Sequence, residues 1–583
     1  MGKPVQADLV LFSLGGVQRF LSESRTTADV AGASLVVQAL SRRAAESVHG
    51  RLAGLSEPYG LIVPAPPSKA DTQYGTTNKV AFLAPAGEGR ALAVAAATVV
   101  GRDWADRVRR VFPEGVQATP GMPDISWVCV TGSAAVEDYS TLWERARAAL
   151  VARRRTRVFV PLLEKRVNLC SQSPHLPASV PPAGRRRHER REHLSAAGWV
   201  KRMETRTDDT AFPSTVAIAS SSFRARIVAK GRTAAGKELN DAVRRLDAAA
   251  RALDAPRERG LRISDVPEGL RPLADGLGAW VFPERWDVEA LKRAGIDASP
   301  AAVAQGRAAA VALVRQAKQL GVPSPTPYFA VVVQDLDRLG RNLGSLTLNE
   351  HRAVSATLSG LARAQWTAAT GLGSPAEPIY AGGDDFLSFC PAVSALELAA
   401  TVRRLVTDHC GGGPLSPITA STAVVFAHMG SPMQEAIEAA QAALKAAKET
   451  ERDGVDRDAL CVVVRRRGGE RARLIQPWGR TIDAVTLLER VRPSEPGSPL
   501  SPGLASRLEA DESSFDELAV AGLWLALSKE LQRLVERQGG SSAAAAALEE
   551  LGRRERSGAA ARAASFRPVP AALTARFLTQ ECR

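Results

Sequence analysis

Cysteine is scarce in this chain, with six in 583 residues, and aromatic residues make up only 5%. So few cysteines over such a length build no disulfide framework, which places the expected compartment in a reducing cytoplasm. Long hydrophobic runs are missing too: no uncharged apolar stretch reaches the roughly 18 residues that a membrane helix needs. The opening, MGKPVQADLVLFSLGG, has no extended apolar core of a secretory signal. Secretion and membrane contact are therefore not expected. Negative charge is in deficit, with 62 Asp and Glu against 76 Lys and Arg and a net charge of +14. That balance suits a polyanionic partner but does not separate RNA, DNA and nucleotide.

What is present is an ordinary globular composition, 45% hydrophobic and 24% charged. At about 150 residues per domain the length predicts about four domains. Strand candidates at Leu9–Leu14, Lys79–Leu83 and Trp127–Thr131, with helices over Val17–Ala45 and Ala91–Phe112, predict a first α+β unit over residues 1–150. Residues 151–325 follow as a middle domain. They open on basic clusters at Arg153–Arg157 and Arg185–Arg191, separated by prolines, and continue as Ala- and Arg-rich helices. The proline-studded Gly321–Pro327 is a hard break. Residues 326–474 then read as strand, helix, two strands, helix, strand, with a further helix and a closing strand at Leu460–Val464. This is the ferredoxin-like order of a palm. Residues 475–583 are expected to be helical, with Leu518–Leu534 the most apolar helix and Ala543–Ala547 a low-complexity loop or soft helix.

The third unit carries the chemistry. Asp335 and Asp337 stand at the end of its first strand, and Asp384 and Asp385 follow Gly382 and Gly383 on a turn between the next two strands. In this fold order those strands are neighbours, so four carboxylates converge on one edge of the sheet. Such crowding is costly unless a cation neutralises it. Oxygen donors of this kind suit Mg²⁺ or Mn²⁺ with substrate phosphates, and two residues without a β-carbon let a triphosphate approach the turn. Read alone, Gly-Gly-Asp-Asp is equally a plain hairpin turn; the second acidic pair in the right fold order favours the metal reading. Lys445 and Lys448 end the third helix of the unit. Complementing the helix dipole suffices for Lys445, whereas Lys448 is a candidate phosphate contact.

Tyr380–Asp385 (YAGGDD) resembles the palm signature of the large subunit of type III CRISPR effector complexes, in the Cmr (III-B) branch. Asp335–Gly340 resembles that family's Asp-Gly-Asp-x-Met-Gly. Thr419–Val424 resembles its Ser-Ala-Gly strand, and Ala447-Lys448 with Val462–Gly468 its Ala-Lys helix end and following strand. Near the start, Gly15-Gly16-Val17-Gln18-x-Phe20, Arg25, Asp29 and Ser34 resemble the opening of the first, non-catalytic palm, and Leu194–Arg202 (LSAAGWVKR) a segment between the palms.

The resemblance implies an α+β chain of two ferredoxin-like, nucleotide-cyclase-like palms with a helical middle domain and a helical C-terminal domain. It implies assembly with guide RNA, target RNA and other Cmr-type subunits, and target-triggered conversion of ATP into cyclic oligoadenylate. On that resemblance Asp335, Asp384 and Asp385 are the catalytic, metal-binding acids, with Asp337 assisting. Gly382, Gly383, Ser421 and Lys448 meet one ATP, and the loop around Gly16 and Gln18 helps hold a second.

The departures are specific. Leu336 stands where Gly is expected, Thr422-Ala423 where Ala-Gly is, and Gly16 where Pro is usual. The first palm begins near residue 9 and no His-Asp dipeptide occurs, so no HD-type DNA nuclease is expected. Cys170 matches the first ligand of the family's zinc ribbon, but Ser173 replaces its partner. Cys170 with His175, His188 and His193 is better read as a degenerate ribbon, so zinc is not expected. The remaining cysteines read as small buried apolar residues. The basic runs at Arg153–Arg157, Arg185–Arg191 and Arg465–Arg473 suit either nucleic-acid backbone or solvent. The alternatives from other classes are a catalytically silent scaffold subunit and a diguanylate-cyclase-like enzyme.

Overall fold

The computed structural model describes residues 6–66, 77–116, 122–133, 135–156, 168–183, 185, 189, 192–206, 212–232, 236–253, 260–261, 263, 265–382, 384–449, 451–452, 455–478, 484–491, 502–554 and 565–582.

The first sheet is built from β1 (Gln6–Leu14), β2 (Gly60–Val63), β3 (Lys79–Pro85) and β4 (Ile125–Ser133) in the antiparallel order β2-β3-β1-β4. Helices α1 (Val17–Ser22) and α2 (Thr27–Leu52) follow β1, α3 (Gly89–Val111) follows β3 and α4 (Val136–Arg155) follows β4. This is the ferredoxin-like arrangement, with one strand more than the sequence pattern predicts. β2 escaped that pattern because it is only four residues long and lies between Pro58 and Pro64.

The middle segment contributes α5 (Ala196–Glu204), α6 (Thr215–Gly231), α7 (Gly236–Arg251) and α8 (Pro300–Gln319). The second sheet then uses β5 (Tyr328–Leu336), β6 (Glu377–Gly382), β7 (Asp385–Pro391), β8 (Ala420–His428), β9 (Ala459–Arg466) and β10 (Gly469–Pro477). Its order is β10-β9-β8-β5-β7-β6. Helices α9 (Leu348–Thr370), α10 (Ala395–Cys410) and α11 (Met433–Lys448) connect its strands. Strands β8-β5-β7-β6 repeat the first palm's order. β9 lies parallel to β8 after the α11 crossover. The expected closing strand, Leu460–Val464, is therefore not the edge: β10 pairs outside it, and the sheet runs three residues past the expected limit at 474.

The second sheet is buried on both faces, which explains the unbroken apolar run Phe329–Val333. Phe329, Val331 and Val333 face a core shared with α6, α7, α8 and α11. Ala330 and Val332 face α10 and the C-terminal helices. In that last part the expected Leu518–Leu534 helix is two helices, Glu512–Val520 and Trp524–Arg537. The break falls at Gly522, whose φ of 71° is left-handed and unfavourable for any other residue. The alanine-rich stretch does fold as helix, over Ser542–Gly552, with the Ser541 side chain capping the Ala544 amide.

The two palms meet in matched fashion. Helix α2 of the first lies on edge strand β6 of the second, where Ser34 donates to the Ile379 carbonyl at 2.7 Å. Helix α9, its counterpart, lies on edge strand β2 of the first, where Arg352 donates to the carbonyls of Pro58 (2.8 Å) and Leu61 (3.2 Å). Among the described residues no helix is long and apolar enough to cross a membrane.

Candidate active site

The antiparallel register sets the site. Asp335, one residue before the end of β5, lies opposite Asp385 on β7 and opposite Ser421 on β8. The Leu336 amide donates to the Asp384 carbonyl at 3.0 Å, tying the strand end to the acidic turn. Gly382 pairs with Asp385, so the turn holds two residues, of which Asp384 is described and Gly383 lies outside the described residues. Under the turn, the Tyr380 hydroxyl donates to the Gly382 carbonyl at 2.9 Å.

The charges here are not balanced. Asp335 forms an ion pair with Lys448, the last residue of α11. The Asp385 carboxyl is pushed well above the usual carboxylate range, first by burial, then by the charge of Asp384 and by the hydrogen bond and charge of Asp335; Lys448 offsets this only in part. The Tyr380 phenol is pushed up as well, first by burial and then by Asp385, Asp384 and Asp335. Asp384 and Asp385 thus crowd Asp335 and its ammonium partner at one strand end. Among the described residues no three ligating side chains already surround one point. Hard oxygen donors with surplus negative charge on adjoining strand ends nonetheless fit Mg²⁺ or Mn²⁺.

Asp337 and Ser421 are placed differently from the other expected site residues. Asp337 is buried and accepts hydrogen bonds from Thr419 Oγ1 (2.8 Å), Ser421 Oγ (2.9 Å) and the Asp458 amide (3.1 Å). Ser421 is fully buried, its hydroxyl spent on Asp337. Behind them Arg403 holds the Asp458 carboxylate with two hydrogen bonds, of 2.7 and 3.0 Å. No local pattern in the sequence marks Arg403 or Asp458. Lys445 is exposed and pairs with Glu449 at 3.6 Å.

Gly16 has φ 68° at the start of α1. Proline's ring holds φ near about −65°, so the departure from the family's Pro is matched by a backbone that Pro could not adopt. Gln18 reaches the second palm, accepting a 2.9 Å hydrogen bond from Gln441 on α11, the helix that ends in Lys448. The Gly16–Gln18 stretch therefore lies alongside that helix.

A brace from the middle segment holds this loop. The Lys201 ammonium donates to the Phe20 carbonyl (3.0 Å) and to Ser24 Oγ (3.1 Å). Arg202 grips the buried Asp29 with hydrogen bonds of 2.7 and 2.8 Å. Burial opposes the charged form of Asp29, but the hydrogen bonds and charge of Arg202 outweigh it and bring the carboxyl down to about 2. The Cys170–His175 segment joins in, with Ser173 Oγ donating to Glu23 at 2.6 Å. Cys170 is buried and its sulfur accepts from the Ser173 amide at 3.4 Å. His175 meets Arg19 at 3.1 Å, the His193 carbonyl accepts from Ser171, and His188 lies outside the described residues. Of the basic runs, Arg465 and Arg473 pair with Glu435 and Glu470, whereas Arg153–Arg155 end α4 exposed. Arg157, Arg186, Arg187, Arg190 and Arg191 lie outside the described residues.

Two ferredoxin-like palms, one of them carrying an acidic hairpin beside an acidic strand end, define a double-palm chain with a nucleotide-cyclase-like fold. Comparison with known proteins agrees. Residues 328–460 match the family model described as Cas10/Cmr2, second palm domain. Solved structures with a similar fold include a chain of the type III-B Cmr-beta complex in its apo state, at 13% identity, TM-score 0.61, 92% of this chain and 77% of that one. Another is from Cmr-beta bound to cognate target RNA, at 13% identity, TM-score 0.57, 91% of this chain and 78% of that one. No curated protein matches. Residues 328–460 are therefore a palm of the Cas10/Cmr2 type, within a chain whose overall fold is that of the Cmr-beta subunits.

Proposed function

We propose that this chain converts ATP into cyclic oligoadenylate at the second palm, as a subunit of an RNA-guided type III-B antiviral complex that target RNA switches on. The observation that carries this reading is the pairing of Asp335 with Asp385 across adjacent strands, with Lys448 ion-paired to Asp335. The reaction is a 3′-hydroxyl displacing pyrophosphate from the α-phosphate of a neighbouring ATP, repeated until the chain closes on itself. Asp335, Asp384 and Asp385 would hold the Mg²⁺ or Mn²⁺, which when bound would lower the pKa of the attacking hydroxyl and offset charge on the phosphates. The burial and like charges that disfavour an ionised Asp385 are offset when cation and nucleotide arrive. Lys448 contributes a positive charge next to the acids for the triphosphate. The Gly382 backbone allows close approach of the phosphates, and Tyr380 keeps that carbonyl turned away from them. The Gly16–Gln18 loop, alongside α11, orients the second ATP.

The test is the assembled complex with α-labelled ATP, Mg²⁺ and complementary target RNA. Cyclic oligoadenylate that depends on the target is the expected result. No product from a complex that still binds target RNA would leave the chain a scaffold, and turnover of GTP alone would make it a diguanylate-type enzyme.

A further inference from the structure

The two palms can be superimposed residue by residue through their registers. Leu14 lies opposite Ile125 in the first, as Leu336 lies opposite Ala420 in the second. The next amide then bonds across: Gly15 to the Asp124 carbonyl at 2.7 Å, and Asp337 to the Thr419 carbonyl at 2.9 Å. Gly15 is therefore the counterpart of Asp337, and Asp124 that of Thr419.

The side chains are exchanged between these positions. In the second palm the carboxylate grows from the β5 side and accepts from Thr419 opposite. In the first palm the β1 side is bare, and the carboxylate grows from the facing residue. A β-carbon added at Gly15 would stand 2.3 Å from Asp124 Oδ2. The Asp124 carboxylate thus fills the space that a side chain at Gly15 would enter. One carboxylate is kept at this strand junction in both palms, including the palm that lacks the acidic turn.

We infer that Asp337 is a positioning residue and not a metal ligand. Its carboxylate is already engaged by Thr419, Ser421 and the Asp458 amide, and it lies 4% exposed against 22% for Asp335. It joins the end of β5, the start of β8 and the turn before β9 beneath the site. The assignment of Asp335, Asp384 and Asp385 as the metal-binding acids rests on the proposed function; the structural role of Asp337 does not.

The experiment exchanges the carboxylate as the first palm has done. Asp337→Gly lowers the melting temperature of the full chain measured without metal or nucleotide, and adding Thr419→Asp restores most of the loss. Should Asp337→Gly alone fail to fold, folding of the double variant is the same rescue. In parallel, Mn²⁺ binding is titrated with ATP present. Asp335→Asn raises the half-saturating Mn²⁺ concentration by about tenfold or more, and Asp337→Asn by less than about threefold. Equal weakening by both variants, or a double variant no more stable than Asp337→Gly, overturns the inference. A chain that binds no Mn²⁺ at all contradicts the proposed function while the stability rescue still decides the role of Asp337.

Discussion

The two palms share a strand order and diverge at the strand ends. In the second, Asp335 sits between Asp385 and Ser421. At the matching place in the first, Ser13 sits between Lys79 and Ser126. The serine on the third flanking position persists, while the two acids become a hydroxyl and an amine. The turns differ as well. Gly382 and Asp385 close a two-residue hairpin, whereas residues 64–78 separate β2 from β3. The comparison teaches that the scaffold and the chemistry vary separately: apolar residues set the sheet, and a handful of end positions decide whether it gathers negative charge. Buried charge is also spent differently. The first palm pairs Asp29 with Arg202 and is braced by it; the second sets Asp385 against the charges of Asp384 and Asp335, with Lys448 paired to Asp335.

That contrast can be broken in graded ways. The largest effect belongs to Asp384→Ala with Asp385→Ala, which should cut oligoadenylate formation at least about a hundredfold, since charge stabilisation at the reacting phosphate is lost. Target RNA binding should be unchanged; a parallel loss would mean that the turn is structural. Next, Arg202→Met strands the Asp29 carboxylate in the core and should cost about 3–5 kcal/mol in chemical denaturation, as removing one partner of a buried pair does. Ser13→Asp asks whether the first palm tolerates an acid. Ser13 is fully buried and its hydroxyl has no hydrogen-bond partner, so this variant should lose about 2–3 kcal/mol. The reverse change, Asp335→Ser, should leave stability within about 0.5 kcal/mol.

The smallest effect is on pH dependence at the palm–palm contact. His351 on α9 meets the Tyr139 hydroxyl of the first palm at 2.7 Å and lies 4.1 Å from the Trp143 ring. Burial brings its imidazole down to about 4 from an ordinary 6.5. The unfolded chain then binds more protons between those values, so this contribution is complete above pH 6.5 and declines as the pH falls toward 4. Melting temperatures across that range should show the slope in the wild type and its loss in His351→Phe.

Much of the second palm is legible in the sequence because its signals are local: an unbroken apolar strand, acids at its end, and a glycine turn before the next strand. The C-terminal boundary was less so, since β10 is mostly polar along its outer positions and reads as loop. The division of labour between Asp335 and Asp337 is invisible there for a different reason. The two are one residue apart from adjacency, yet the partners that occupy Asp337 lie 82, 84 and 121 residues away. Only the folded register brings them together. The brace on Asp29 is hidden in the same way, with Arg202 173 residues distant.

The central claim is that the acids of the second palm hold the metal, with nucleotide bound beside it. Electron paramagnetic resonance of the full chain with Mn²⁺ and ATP, compared between wild type and Asp335→Asn, tests it most directly. The account predicts nucleotide-dependent Mn²⁺ binding that Asp335→Asn weakens about tenfold or more. Mn²⁺ binding that is indifferent to Asp335 would contradict it.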